Sequence, residues 1–152
     1  MSDSLIPQQV LTCGLQGEIF ALDADVVREI LDMVPITDVP NSSLFVGGLI
    51  NVRGKVAPLA DLRVKFGMPL DPPTADTRIV VIEVELDGVP TIVGLLADKV
   101  YGVEILDQTT AEPPPRIGIK WNPDLIKAIG QRNGDFVIIL DLDFIFSNTS
   151  TP

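Results

Sequence analysis

Residues 51–67 read NVRGKVAPLADLRVKFG, a strand, a tight turn, a second strand and a capped turn of helix in seventeen positions. LINV and KVAPL flank Arg53-Gly54, where Gly54 supplies the permissive backbone and Arg53 must project outward. Asp61 is placed to cap a short helix, Leu62 and Phe66 share one face at i and i+4, and Gly67 falls where a left-handed C-terminal residue is wanted. The same stretch concentrates four cations, Arg53, Lys55, Arg63 and Lys65, in a chain of formal net charge −10. Arg63 and Lys65 alternate with Leu62 and Val64, which predicts a basic face beside an apolar one. Because Leu62 and Phe66 anchor this helix, Arg63 is expected to be partly structural and to pair with an acid of its own chain.

Outward from this stretch, apolar residues make up 46% of the chain but aromatics only 5%, so Val, Ile and Leu supply the core. Such residues fit a pleated, half-buried surface. Short runs with a period near two recur between Gly, Pro, Asn and Asp: QVLTCGL, EIFALD, GLINVR, KVAPLA, RIVVIEVEL, PTIVGLLA, VYGVEIL, LIKAIGQ and DFVIIL. The fold class expected is mainly β. Asp87-Gly88 and Asn133-Gly134 tolerate the positive φ of type I′ hairpin loops, and Arg132 would then face Asp135 across the second turn as a cross-strand ion pair.

GMPLDPPTAD, residues 67–76, can continue neither a sheet nor a helix and reads as a linker. The expected division is one lobe over about residues 15–70 and a second over about 76–147 together with the N-terminal strand, each closing as a small barrel to remove its edges. Neither lobe is large enough to fold alone, so the apolar surplus is expected to join them. Helices are few. DADVVREIL offers Asp23 or Asp25 as a cap for about one turn before an extended REILDMV, limited by Pro35. DLDFIF repeats the pattern of DLRVKF, with Asp141 as cap and Leu142, Ile145 and Phe146 packing inward, and both helices read as plugs on barrel ends.

Charge and composition exclude several functions. With 21 acidic against 11 basic residues, the molecule as a whole is not suited to nucleic acid or to an anionic membrane, and a protein partner is the default. MSDSLIPQQV lacks the features of a signal peptide, and no apolar run approaches the roughly 20 residues that span a bilayer, so a cytosolic protein is expected. Cys13 stands alone and reads as a small buried hydrophobe. The chain has no histidine. Asp141 with Asp143, and Glu83 with Glu85, have the i, i+2 spacing of an exposed strand face or a cap, not of an acid/base dyad. EPPPR at 112–116 lacks a PxxP frame and reads as a stiff loop, and Gly47-Gly48 is too short for a nucleotide loop.

The opening stretch resembles the signature of the CheW family of chemotaxis coupling proteins, N-x-R-G-x-x-x-P-x-x-D-L-R-x-x-[FL], matched by Asn51, Arg53, Gly54, Pro58, Asp61, Leu62, Arg63 and Phe66. EIFALDADVVREIL, FVGGLINVRG, IVGLLADKVYGVEIL and LIKAIGQRNGDFVIILDLDFIF are similar to further family segments in the same order, so the resemblance covers almost the whole chain. Two departures are Ala21, where the family often has Gly after an aromatic residue, and the loop PNSSLFVGG, which differs from the commoner proline-containing version and bears on partner choice.

The resemblance implies a single CheW-like domain over residues 1–152, built of two SH3-like five-stranded β-barrels that share a hydrophobic interface, with no catalytic residue, cofactor or metal. It implies an adaptor between two partners, the cytoplasmic tip of methyl-accepting chemotaxis receptors and the regulatory domain of the histidine kinase CheA, recruited to membrane-associated arrays without inserting into the membrane. By similarity, Val27, Gly48 and Arg53 would serve the receptor and Glu29 and Ile30 the kinase. The alternative is a CheW-like scaffold of a non-motility chemosensory pathway.

Overall fold

The chain folds back four times through one device: Gln16-Gly17, Arg53-Gly54, Asp87-Gly88 and Asn133-Gly134 each hold both residues at positive φ, between 51 and 86°. This is the pair of left-handed residues that a two-residue type I′ loop needs. The turns join β1 (Val10–Leu15) to β2 (Glu18–Asp23), β5 (Gly48–Val52) to β6 (Lys55–Ala60), β7 (Arg78–Leu86) to β8 (Val89–Ala97), and β10 (Ile126–Arg132) to β11 (Asp135–Leu140). Strands β3 (Val27–Asp32), β4 (Thr37–Asp38) and β9 (Lys99–Glu104) stand outside these hairpins, and helices α1 (Leu62–Phe66) and α2 (Leu142–Ser147) follow β6 and β11. The computed structural model describes residues 6–40, 42–115, 118 and 120–147. Residues 1–5, Asn41 of the PNSSLFVGG loop and Arg116 of the EPPPR run lie outside the described residues.

Two sheets result, in the orders β10-β11-β2-β1-β9 and β3-β7-β8-β6-β5-β4. They form the two SH3-like β lobes expected, with the two-residue β4 as an extra edge on the second. Each joins two hairpins through a parallel pair, β11 to β2 in the first lobe and β6 to β8 in the second. Ala21, the departure from the family pattern, sits in regular register opposite Thr12 and Ile139.

The division between lobes is not where the sequence placed it. The segment 67–76 is a loop, but it joins α1 to β7, and the strands on both sides of it belong to the second lobe. A proline run interrupts a strand wherever it lies and carries no information about which sheet its neighbours join. The actual crossings are elsewhere. After β2, a single 3-10 turn capped by Asp23 sends β3 to pair with β7, and after β8 the chain passes Asp98 and sends β9 to pair with β1. Asp98 fixes its crossing by donating its N–H to the Gly14 carbonyl at 2.9 Å and accepting from the Gln16 N–H at 2.7 Å. The N-terminal strand β1 joins the later strands as expected, but the lobe expected over 15–70 also surrenders β2 to that sheet, and the lobe expected over 76–147 surrenders β7 and β8 to the other.

Packing follows from this exchange. In β7, Ile79 and Val81 enter the core of the second lobe while Val80 and Ile82 enter a core shared by both lobes. In β11, Val137 and Ile139 line the first lobe's own core, and Ile138 and Leu140 join the shared one. Strands buried on both faces need continuous apolar runs, and the stretches IVVI of β7 and VIIL of β11 are buried throughout where a period near two was expected. The helices serve the interface between lobes, not only barrel ends: Phe66 of α1 meets Phe20 of β2 edge-on at 5.1 Å, and α2 packs on β7 with Phe146 at 5.5 Å from Phe45.

Because each half of the chain contributes a two-strand hairpin to the sheet of the other, polypeptides covering residues 1–76 and 77–152 should each lack cooperative folding, and mixing them should restore the sheet signal in circular dichroism. A half that melts cooperatively by itself would contradict the exchange as a folding constraint.

Candidate protein-docking site

Arg53 is held on its turn by the residue two before it. The Asn51 side-chain oxygen accepts from the Gly54 N–H at 2.8 Å, so the Asn and Gly of the N-x-R-G signature form one small structure with the arginine at its tip. The guanidinium is not free. With its side chain 80% exposed, Arg53 donates Nε to Glu29 Oε2 at 2.9 Å, a contact that raises the arginine above its ordinary pKa. Glu29 lies on β3, one edge of the second lobe, and Arg53 on the β5–β6 hairpin beside the other, so the pair reaches across the barrel from edge to edge.

The structure therefore brings Arg53 and Glu29 together and puts Val27 and Ile30 on the same strand as Glu29. Ile30 is 43% exposed, while Val27 is half-buried against the shared core. Gly48 lies apart from them, buried in β5. A Cβ there would stand 2.6 Å from Ile36 Cγ2, a rigid branch, so Gly48 is a requirement of packing and not a surface contact. It forms part of a groove of about 460 Å³ that also involves Ile36, Val39, Leu44, Phe45 and Leu59.

The expected basic face does not exist as one surface. Arg63 is 6% exposed, folded back onto the residue that caps its helix. Its Nε and Nη2 donate to Asp61 Oδ1 and Oδ2 at 2.9 and 2.8 Å, and Nη1 donates to the Asp71 carbonyl at 2.8 Å, tying down the proline loop. Asp61 also accepts the Arg63 backbone N–H at 3.0 Å, so one carboxylate both caps α1 and holds the guanidinium. Lys65 places Nζ 4.8 Å from the Phe45 ring centre. Only Arg53 and Lys55 remain on the surface of the hairpin.

One further reading changes, and the caps and core residues stand as expected. Arg132 and Asp135 do face each other in register, but the guanidinium turns to Glu104 at 2.7 Å instead. Glu83 is paired with Arg28 at 3.4 Å, and Asp141 accepts the Phe144 N–H at 3.1 Å as a cap of α2. Burial pushes the Cys13 thiol up to about 12, so it is a protonated core residue. Among the described residues no group of three or more His, Cys, Asp or Glu is arranged to hold a metal ion, and no helix is long and apolar enough to cross a membrane. Sequence reasoning found the strand β9 but not its exposed apolar face, where Tyr101, Val103 and the following Ile105 are 42, 59 and 73% exposed. The signal was present in VYGVEIL, whose apolar residues fall on alternate positions.

Residues 9–150 match the family model described as CheW-like domain. The chain is 30% identical over 144 residues to a probable chemotaxis protein CheW of Rhizobium etli, covering 95% of this chain and 90% of that one. It is 29% identical to a chemotaxis protein CheW of Thermotoga maritima over 95% of this chain and 91% of the relative. The crystal structure of the scaffolding protein TtCheW from Thermoanaerobacter tengcongensis is similar with a TM-score of 0.80 and 31% identity, over 93% of this chain and 89% of that one.

The double duty of Asp61 sets an expected stability loss. Removing a cap alone costs about 0.5–2 kcal/mol, whereas leaving a buried charge without its partner costs about 3–5 kcal/mol. Asp61→Ala should fall in the higher range by urea denaturation, and Asp61→Ala with Arg63→Leu should recover part of it. A single-variant loss no larger than a cap's would show that the buried pair adds nothing.

Proposed function

The chain belongs to the CheW-like domain family, and from that premise we propose that it is a non-enzymatic chemotaxis adaptor that couples methyl-accepting chemoreceptors to the histidine kinase CheA. It works in the cytoplasm, recruited to receptor arrays at the membrane, and it turns nothing over. One partner is the cytoplasmic tip of the receptor, the other the regulatory domain of the kinase.

The observation that carries this reading is the Arg53–Glu29 pair. Arginine is among the residues that dominate docking energetics, and here a guanidinium stands on a tight turn within one hydrogen bond of a carboxylate on an edge strand. Arg53 is the receptor's contact, together with Val27 on β3 and with Gly48, which borders the groove on β5. Glu29 and Ile30 are the kinase's. Being so exposed, the internal ion pair is weak and screened by salt. A carboxylate of the receptor can take the guanidinium from Glu29, and the freed Glu29 then becomes available to the kinase. The chain that separates the two docking residues in sequence thus joins them in space.

Isothermal titration with a receptor tip fragment and with the kinase regulatory domain tests this. Arg53→Glu should leave the melting temperature unchanged, because an exposed turn side chain buries little, and should weaken receptor-tip binding about tenfold or more, since a truncated interfacial charge costs affinity and a reversed one adds repulsion. The exchange Glu29→Arg with Arg53→Glu rebuilds the internal pair with opposite polarity and should restore neither affinity. Recovery of both by the exchange would mean that the pair acts only within the chain, and the assignment of docking residues would fail.

A further inference from the structure

The chain is built as two repeats that have traded hairpins. Gly54, Asp61 and Phe66 recur at one constant offset as Gly134, Asp141 and Phe146. The backbone repeats with them: the Asp61 N–H donates to the Phe45 carbonyl at 2.8 Å, and the Asp141 N–H donates to the carbonyl of Leu125, at the same offset, at 2.9 Å. Apart from the extra β4, the orders β10-β11-β2-β1-β9 and β5-β6-β8-β7-β3 correspond strand for strand once each element is matched to its repeat. The first hairpin of each half therefore lies in the sheet of the other half, and the two insertions are reciprocal.

Reciprocal insertion is the geometry of a domain-swapped pair, here held within one chain. Among the described residues four ladders join the halves, β1 to β9, β2 to β11, β3 to β7 and β6 to β8, each setting a strand before residue 67 against a strand after residue 77. The shared core draws on both halves too, with Phe20, Phe45 and Phe66 from the first and Val80, Ile138 and Phe146 from the second. None of these contacts requires the two halves to belong to the same polypeptide. A second copy of this chain offers each half the same complementary surface, residue for residue, and that identity singles it out as the partner.

The loop between α1 and β7 is what makes the exchange internal. Its residues 69–76 are all exposed. It is anchored to the first half at Asp71, whose carbonyl accepts from Arg63 Nη1 at 2.8 Å and whose carboxylate accepts from Gln16 Nε2 at 3.1 Å. From Thr74 onward it is tied to the second half: Thr77 Oγ1 accepts the Thr74 N–H at 2.8 Å, and Arg78 Nη1 donates to the Ala75 carbonyl at 3.0 Å. Between the two anchors stand Pro72 and Pro73, a short extended hinge.

We propose that two copies of this chain exchange halves at Pro72-Pro73, forming a dimer of four complete lobes, and that the length of this hinge is what holds a single chain closed. Away from the hinge, monomer and dimer make the same contacts, so protein concentration and hinge length decide between them. Neither half completes a sheet by itself, so exchange requires the shared core to open, and a dimer once formed survives dilution. The exchange stands independently of the adaptor reading but bears on it. Val27, Glu29, Ile30, Gly48 and Arg53 all belong to the first half, so each arm of the dimer carries the whole set and one particle presents it twice.

Refolding the full chain from urea at rising protein concentration, followed by size-exclusion chromatography, tests this. A dimer fraction should appear that grows with concentration and does not dissociate on dilution. Deleting Pro72 and Pro73 keeps both anchors but removes about 7 Å of reach, and should enrich the dimer about tenfold at a fixed concentration. A Gly-Ser insertion after Pro73 should deplete it. The double variant Asp32→Cys, Arg78→Cys identifies the arrangement. These residues face each other across the β3–β7 ladder, one from each half, with the guanidinium Nε 3.3 Å from the carboxylate, and Cys13 is buried away from them. After bridging with a short dimaleimide, the exchanged dimer should run as a covalent dimer on a denaturing gel. Two closed chains lying side by side would run as single chains. That result, a dimer that dilutes apart, or monomer at every concentration for the wild type and the shortened chain alike, overturns the proposal. Should the shortened chain fail to fold, the wild-type concentration series and the cysteine bridge decide by themselves.

Discussion

The rest of the structure depends on the exchange of β3 and β9 between lobes. A lobe of five or six short strands has too little interior to be stable alone, and each lobe here keeps only a small core of its own beside the larger shared one. Sending the strand that follows each first hairpin into the opposite lobe makes the shared core unavoidable, because neither sheet is complete without both halves of the chain. The helices reinforce the same interface, with Phe66 reaching across to Phe20 and α2 lying on β7.

This constraint also sets the edges of the two sheets, where docking is proposed. The exchanged strands become the outer edges of the two sheets, and an edge strand is where a partner finds unpaired backbone and exposed side chains. Each edge carries a glutamate answered by an arginine from a hairpin end. In the second lobe the guanidinium of Arg53 stands in solvent while the side chain of Glu29 is only 22% exposed. In the first lobe the guanidinium is sealed against Tyr101 and Thr12 backs its glutamate, so the pair closes the barrel. Arg63 makes the same contrast within one sequence motif. Two positions after Asp61 it is pulled under the surface, while Arg53, ten residues earlier on a turn, stays outside.

Much of this was legible in the residues themselves. The hairpin at Arg53-Gly54, the Asp61 cap and the left-handed Gly67 announce themselves because each depends on a local backbone requirement. So did the burial of Cys13 and the structural part of Arg63. What could not be read was decided at a distance. The proline segment 67–76 marks an interruption but not a boundary, since pairing of β3 with β7 and of β9 with β1 links residues far apart in the chain. Asp135 faces Arg132 in register, yet a partly buried glutamate on β9, whose two oxygens share the Arg132 Nε–H, outcompetes an exposed neighbour across a turn. Gln16-Gly17 adopts the same loop as Asn133-Gly134 without the residue type that signals it. The repeat was visible in DLRVKF and DLDFIF, and its constant offset in the preceding glycines was the clue to two equivalent lobes.

A two-lobed body in which each sheet is completed by strands from both halves of the chain is suited to hold two proteins in a set relation, and coupling is the property that such a relation creates. Kinase autophosphorylation in a reconstituted mixture of receptor, kinase and this protein tests it most directly. The expected result is a phosphorylation rate that rises only when all three are present. Stimulation that survives removal of the receptor, or a rate that does not respond to this protein when receptor and kinase are both supplied, would contradict the coupling role.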